Sequence, residues 1–135
     1  MDDIIDAFRR AVFENYATFS GRAARGEFWR FVLAVILLNL MAGLADAFVL
    51  EPVFGLPGAA GVLASAIGLV LILPELALGA RRLHDTGRSG WWLVLLLLPV
   101  IGALALVWLF AQPGLPEGNR YGPAPHWDRR PRAAA

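Results

Sequence analysis

Phe28-Trp-Arg-Phe-Val-Leu-Ala-Val-Ile-Leu-Leu-Asn-Leu-Met-Ala-Gly-Leu-Ala-Asp-Ala-Phe-Val-Leu50 is the stretch that sets the class of this protein. An α-helix rises about 1.5 Å per residue, so about 20 apolar residues cross a hydrocarbon core of roughly 30 Å. Asn39 is the only strongly polar residue near the middle of the run, and Asp46 falls near its far end, where it can reach water. The run therefore reads as a membrane-spanning helix. After it, Glu51-Pro-Val-Phe-Gly-Leu-Pro-Gly58 supplies a turn, because its prolines and glycines end a helix. A second span is expected over about residues 58–79, and a third apolar block runs from Trp91 to Phe110.

Composition agrees with this reading. Hydrophobic residues make up 58% of the 135 and charged residues 17%, against about 45–50% and 25% in soluble domains. The net charge of +1 excludes a polycation aimed at nucleic acid. With no cysteine, disulfides, thiolate metal sites and cysteine nucleophiles are all excluded. A cleavable signal peptide is not expected, since Met1-Asp2-Asp3 is acidic where such a peptide is basic.

Three units follow: an amphipathic segment over residues 1–27, a membrane domain over 28–110, and a Pro/Arg-rich tail over 111–135. Within the first unit, Ile5, Phe8, Val12 and Tyr16 step onto one helical face over Asp3–Tyr16. That stripe fits either the membrane interface or packing against the rest of the chain. Ser20 is placed to cap the next helix. In the second span Gly61 with Ser65, and Ala64 with Gly68, offer close helix approach. Pro74 is expected to kink it, and Glu75 beside it is costly in a membrane unless paired, hydrated or protonated. The end of the tail is expected to be disordered.

Arginine placement gives the orientation. Arg9, Arg10, Arg22, Arg25 and Arg30 precede the first span, and Arg81, Arg82 and Arg88 lie in the expected loop 80–90, while the Glu51–Gly58 turn carries none. The N-terminus and that loop are thus expected on the cytoplasmic side. Three spans would put the tail outside, whereas Arg120, Arg129, Arg130 and Arg132 favour the inside. A hairpin at Pro99 would reconcile the two. Since a block of about 20 continuous apolar residues is simplest to place across the bilayer, three spans is the reading adopted, with the third broken or re-entrant at Pro99 as the alternative.

The residues able to carry chemistry lie in Arg81-Arg-Leu-His-Asp-Thr-Gly-Arg-Ser-Gly-Trp-Trp92. Arg81, Arg82 and Arg88 suit phosphate or carboxylate, and Trp91 and Trp92 suit an interface. On the structural side, the arginines act as topology signals and His84 pairs with Asp85. On the functional side, the loop holds anionic lipid head groups. A second polar cluster holds Arg22, Arg25, Glu27 and Trp29, and Glu27 and Glu75 are expected to partner arginines such as Arg81 or Arg82. Metal ligand spacing, a nucleophile–base pair and nucleotide-binding fingerprints are not found, so no metal, cofactor or catalytic residue is assigned.

At these motifs the chain resembles the YhaH-type bacterial inner-membrane proteins, the family called domain of unknown function 805. Phe19-Ser-Gly-Arg-Ala-Ala-Arg-Gly-Glu-Phe-Trp29 is similar to the family's N-terminal motif, and residues 81–92 to its central signature. Pro99-Val-Ile-Gly102 is similar to its break in the last apolar block. Gly118-Asn-Arg-Tyr-Gly-Pro-Ala-Pro125 resembles its closing motif, with Asn119, Arg120 and Gly122 inside it and Ala124 where an acidic residue is common. The resemblance implies a bacterial inner-membrane location and an all-α fold, and it transfers no activity. The expected function is that of a non-enzymatic multi-pass protein whose cytoplasmic Arg/His/Asp/Trp face binds anionic head groups or a partner protein. The alternative is an oligomeric transporter or channel component, self-associating through the small residues of the second span with Asn39 and Glu75 inside.

Overall fold

A computed structural model describes residues 1–55 and 61–125 of the chain. The expected disorder at the tail's end and the expected start of the second span at Gly58 fall outside these residues. Among them the architecture is all helical, and the sole strand-like feature is an isolated bridge between Asn119 and Gly122. Helix α1, Asp2–Arg9, continues as a π-helical turn through Arg10–Glu14. Helix α2, Arg25–Ala45, runs on through a π-helical turn, Asp46–Leu50, and α3, Glu51–Phe54. Helix α4 is Val62–Asp85. A 3₁₀ segment, Gly90–Leu97, then precedes α5, Ile101–Ala111.

Two of these helices are long and apolar enough to cross a membrane, Arg25–Phe54 and Val62–Asp85. Both carry bulky apolar side chains on their outer surfaces, among them Ile36, Leu40, Met41, Leu69 and Val70. With so little of either helix buried inside the protein, these surfaces fit a lipid surround.

Helix α1 packs against α2. Phe8 stacks on Phe31 with ring centroids 5.9 Å apart, and Ala7 and Ala11 are buried. Phe8 and Val12 of the expected stripe pack inward, whereas Ile5 is exposed and Ala7 and Ala11 lie inside because their small side chains let the helices approach. At the end of that segment the Tyr16 hydroxyl donates to the Val70 carbonyl at 2.6 Å. Val70 stands four residues before Pro74, which has no N–H to offer, so tyrosine satisfies the acceptor that proline leaves open. Ser20 caps nothing; α2 begins after Ala24 with no side-chain cap.

Asp46 also departs from expectation. Rather than reaching water it is buried, and its two carboxylate oxygens accept from the backbone N–H groups of Leu63 and Ala64, each at 3.0 Å. These are orphan donors in the first turn of α4, so one long helix caps the other.

The expected loop 80–90 is largely helix, because α4 continues to Asp85. It ends in a Schellman turn: Arg88 N–H donates to the Leu83 carbonyl at 2.9 Å and Gly87 N–H to that of His84 at 3.0 Å. Gly87 takes φ +78°, the left-handed conformation this turn requires.

The third apolar block is interrupted around Pro99, the alternative that the sequence offered. Its 3₁₀ limb is about 16 Å long and α5 about 16 Å, each about half the hydrocarbon thickness. The limbs fold back on each other. Leu93, early in the first, and Phe110, late in the second, both lie against Gly79 of α4. The tip is a γ-turn at Val100, φ 64° and ψ −67°, closed by Ile101 N–H to the Pro99 carbonyl at 2.8 Å. Just beyond it, a Cβ on Gly102 would stand 1.7 Å from the Leu95 carbonyl oxygen, so only glycine lets the limbs cross this closely. The tail therefore returns to the end of the bundle that holds Asp85.

Replacing Gly102 with alanine is expected to destabilise the protein by about 1–3 kcal/mol through overpacking, despite alanine's better helix propensity. Thermal denaturation in mild detergent measures this. A melting temperature equal to the native one would contradict the close crossing.

Candidate functional site

The C-terminal turn of α4, the segment leading into α2 and the tail meet at one end of the bundle, around Asp85. Helix α4 places Arg82 and Asp85 three residues apart on one face, both buried. Arg82 Nη1 donates to Asp85 Oδ2. From the segment before α2, Arg22 Nε donates to Asp85 Oδ1 at 3.0 Å, with Nη2 2.8 Å from the same oxygen. One buried carboxylate thus holds two buried guanidinium groups.

The remaining guanidinium N–H groups end on backbone carbonyls. Arg82 donates through Nε to Phe110 at 3.0 Å, and also to Gln112 and Ala23. Phe110 and Gln112 lie at the end of α5, where carbonyls lack intrahelical partners and the helix dipole is negative. Arg22 donates through Nη1 to the carbonyls of Glu117 at 2.6 Å and Gly122 at 3.3 Å, and through Nη2 to Leu115. The Asp85 carbonyl in turn accepts the Leu115 N–H at 2.9 Å. Gly114 allows this closeness, since a Cβ there would meet Asp85 Oδ2 at 2.0 Å.

His84 faces the other way. Its Nδ1 lies 3.1 Å from the Gly21 carbonyl, and its ring stacks on Tyr121, with centroids 3.8 Å apart and planes 4° from parallel. Asn119 donates from Nδ2 to the His84 carbonyl at 2.9 Å, and Asn119 and Gly122 exchange backbone hydrogen bonds that shape the closing turn. Arg120 lies over the Tyr121 ring, 4.7 Å from its centre. The expected His84–Asp85 pair therefore does not form, because each side chain binds a different segment.

Glu27 is buried in the first turn of α2, and the strongest charge acting on it is that of Arg81, which is also buried. Two of the Arg81 nitrogens, Nε and Nη2, have no hydrogen-bond partner, so this guanidinium relies on charge attraction to Glu27. Glu27 and Arg81 are thus brought near each other without forming an ion pair, and Arg82 is committed to Asp85. Glu75 has no arginine partner among the described residues. Asn39 donates to the Val35 carbonyl of its own helix at 3.0 Å.

Not every predicted site residue joins this cluster. Arg25 is exposed beside Gly26, Trp29, Pro113 and Gly114. Trp29 packs edge-on against Phe28. Arg88 is half-buried and makes no ion pair among the described residues, and Trp91 is 85% exposed with Trp92 beside it. The sequence reading missed Gly114, Leu115 and Tyr121. Pro113-Gly114 signals a turn, but nothing local says that the turn lies on Asp85. Among the described residues no three His, Asp or Glu side chains converge as metal ligands.

The model of a family described as protein of unknown function (DUF805) matches residues 16–123. The chain is 41% identical over 114 residues to inner membrane protein YhaH of Escherichia coli strain K12, covering 84% of this chain and 92% of that protein. It is 43% identical over 115 residues to inner membrane protein YhaI of the same strain, covering 85% and 92%. No solved structure is significantly similar.

Exchanging Asp85 for asparagine removes the charge that two buried guanidinium groups share. A loss of about 3–5 kcal/mol is expected, the range for breaking a buried ion pair from one side. Thermal denaturation and limited proteolysis of the tail would report it. Native melting together with an uncut tail would show that Asp85 does not hold these segments.

Proposed function

The chain belongs to the DUF805 family, and from that premise we propose that it acts in the bacterial inner membrane as a non-enzymatic protein whose cytoplasmic arginines hold anionic lipid head groups. The observation that carries this reading is the division of arginines at one end of the bundle. Arg22 and Arg82 are buried on Asp85, and Arg81 is buried with Glu27 as the nearby opposite charge, which leaves all three inside the fold. Arg25 and Arg120 are exposed and Arg88 is half-buried, and none of the three forms an ion pair among the described residues.

Exposed Trp91 and Trp92 at the same end supply the amphipathic rings that sit at head-group level. Guanidinium groups bind phosphate through paired N–H groups, and each adds about 1 kcal/mol near an anionic surface. The non-enzymatic part of the reading rests on Asp85, which is fully engaged by arginines, and His84, which is held by Gly21 and Tyr121.

Orientation follows the same arginines. Because the hairpin returns the tail to the Asp85 end, Arg22, Arg25, Arg81, Arg82, Arg88 and Arg120 gather there, and the opposite end, around Asp46 and Leu63, has none among the described residues. The positive-inside rule places such an end in the cytoplasm.

Changing Arg25, Arg88 and Arg120 together to glutamine is expected to reduce the phosphatidylglycerol and cardiolipin retained on gently extracted protein. Native mass spectrometry would read the loss, with the melting temperature unchanged. Equal retention would remove the head-group reading and direct the search to a protein partner. A reporter fused after Ala135 is expected to be active only in its cytoplasm-dependent form; activity of a periplasm-dependent form would reverse the orientation.

A further inference from the structure

Between α2, α4 and the hairpin lies a groove of about 300 Å³, open on one side, and its lining is apolar apart from one exposed residue. Phe31, Val35, Leu93, Leu106 and Phe110 are among its walls, and Glu75 is its only charged side chain. Glu75 stands ten residues before Asp85, about 15 Å along α4, near the middle of a helix about 36 Å long. That depth is beyond the reach of a lipid head group held at the Asp85 end.

Two carboxylates on one helix thus have opposite surroundings. Asp85 is enclosed by arginines, whereas Glu75 has no ion pair or hydrogen bond among the described residues. An ionised carboxylate at this depth is costly unless a cation joins it. The walls supply dispersion contacts to an apolar body and the carboxylate supplies one fixed charge, the usual division of labour in a small-molecule site.

We propose that this groove binds a small lipophilic cation, an apolar body bearing one ammonium group that pairs with Glu75. The apolar walls exclude a polyvalent or strongly hydrated ion, and a single carboxylate selects a single positive charge. The charge also fixes orientation: the ammonium lies at α4 and the apolar body extends along the hairpin toward Leu106.

Protein reconstituted in nanodiscs would be titrated by calorimetry with 1-adamantylammonium and, in parallel, with 1-adamantanol, which has the same cage and no charge. Empty nanodiscs provide the correction for partition into lipid. The ammonium is expected to bind the native protein and raise its melting temperature, and the alcohol to bind far more weakly. Glu75→Gln should weaken the ammonium about ten- to a hundredfold, as expected for loss of a charge-assisted hydrogen bond, without lowering the ligand-free melting temperature. Ala103→Phe, which fills the groove and keeps the carboxylate, should also lose binding. Absence of ammonium binding to native protein, equal binding to Glu75→Gln, or equal binding of the alcohol would overturn the proposal. Should Glu75→Gln fail to fold, undiminished binding to Ala103→Phe would overturn it.

Discussion

A carboxylate removed from water must recover the solvation it loses, and in this protein Asp85 does so through two arginines from distant parts of the chain. Arg82 comes from the same helix turn and Arg22 from the segment before α2. The ion pairs alone would do little more than offset desolvation. What makes the arrangement favourable is that the other guanidinium N–H groups also find acceptors, and those acceptors are carbonyls without an intrahelical partner. The same contacts satisfy buried charges and tie down irregular backbone. The segment before α2, the hairpin and the tail are all fastened through this one residue pair and its neighbours.

The hairpin depends on that fastening. Neither limb is long enough to cross the hydrocarbon core, so a return is forced once the tail is held beside Asp85. A turn at membrane depth is tolerable only if its polar groups are satisfied within the protein. Here the Pro99 carbonyl accepts from Ile101 and the Leu98 carbonyl from Gly102, so the tip leaves few backbone groups for lipid to face. The same logic applies elsewhere: Tyr16 takes the carbonyl that Pro74 frees, and Asp46 takes the amides that open α4. At both of these points a polar side chain from another element meets the irregular backbone.

Against this pattern of satisfied polar groups, Glu75 stands apart. It lies on the same helix as Asp85 and faces an apolar groove instead of arginines. Glu75 is exposed beside a groove large enough for a ligand. The arginines at the Asp85 end divide in a comparable way, into a buried set that builds the site and an exposed set.

The sequence by itself determined the membrane class, the two long apolar helices and the presence of unlike polar residues in three short motifs. Hydropathy and periodicity are local properties, and a run such as Phe28–Leu50 carries its meaning within itself. It also posed the hairpin as an option, since Pro99 and Gly102 interrupt the last block and the tail arginines oppose three spans. Only the tertiary structure decided that the block turns back, that α4 extends to Asp85 and that His84 and Asp85 bind different segments. Those outcomes depend on pairs separated by 63 residues, as in Arg22 with Asp85, or 100, as in Arg22 with Gly122. Spacing along one chain cannot encode such pairs. An arginine reads the same whether it will be buried on a carboxylate or exposed to lipid, and the choice is made by what the folded chain places beside it.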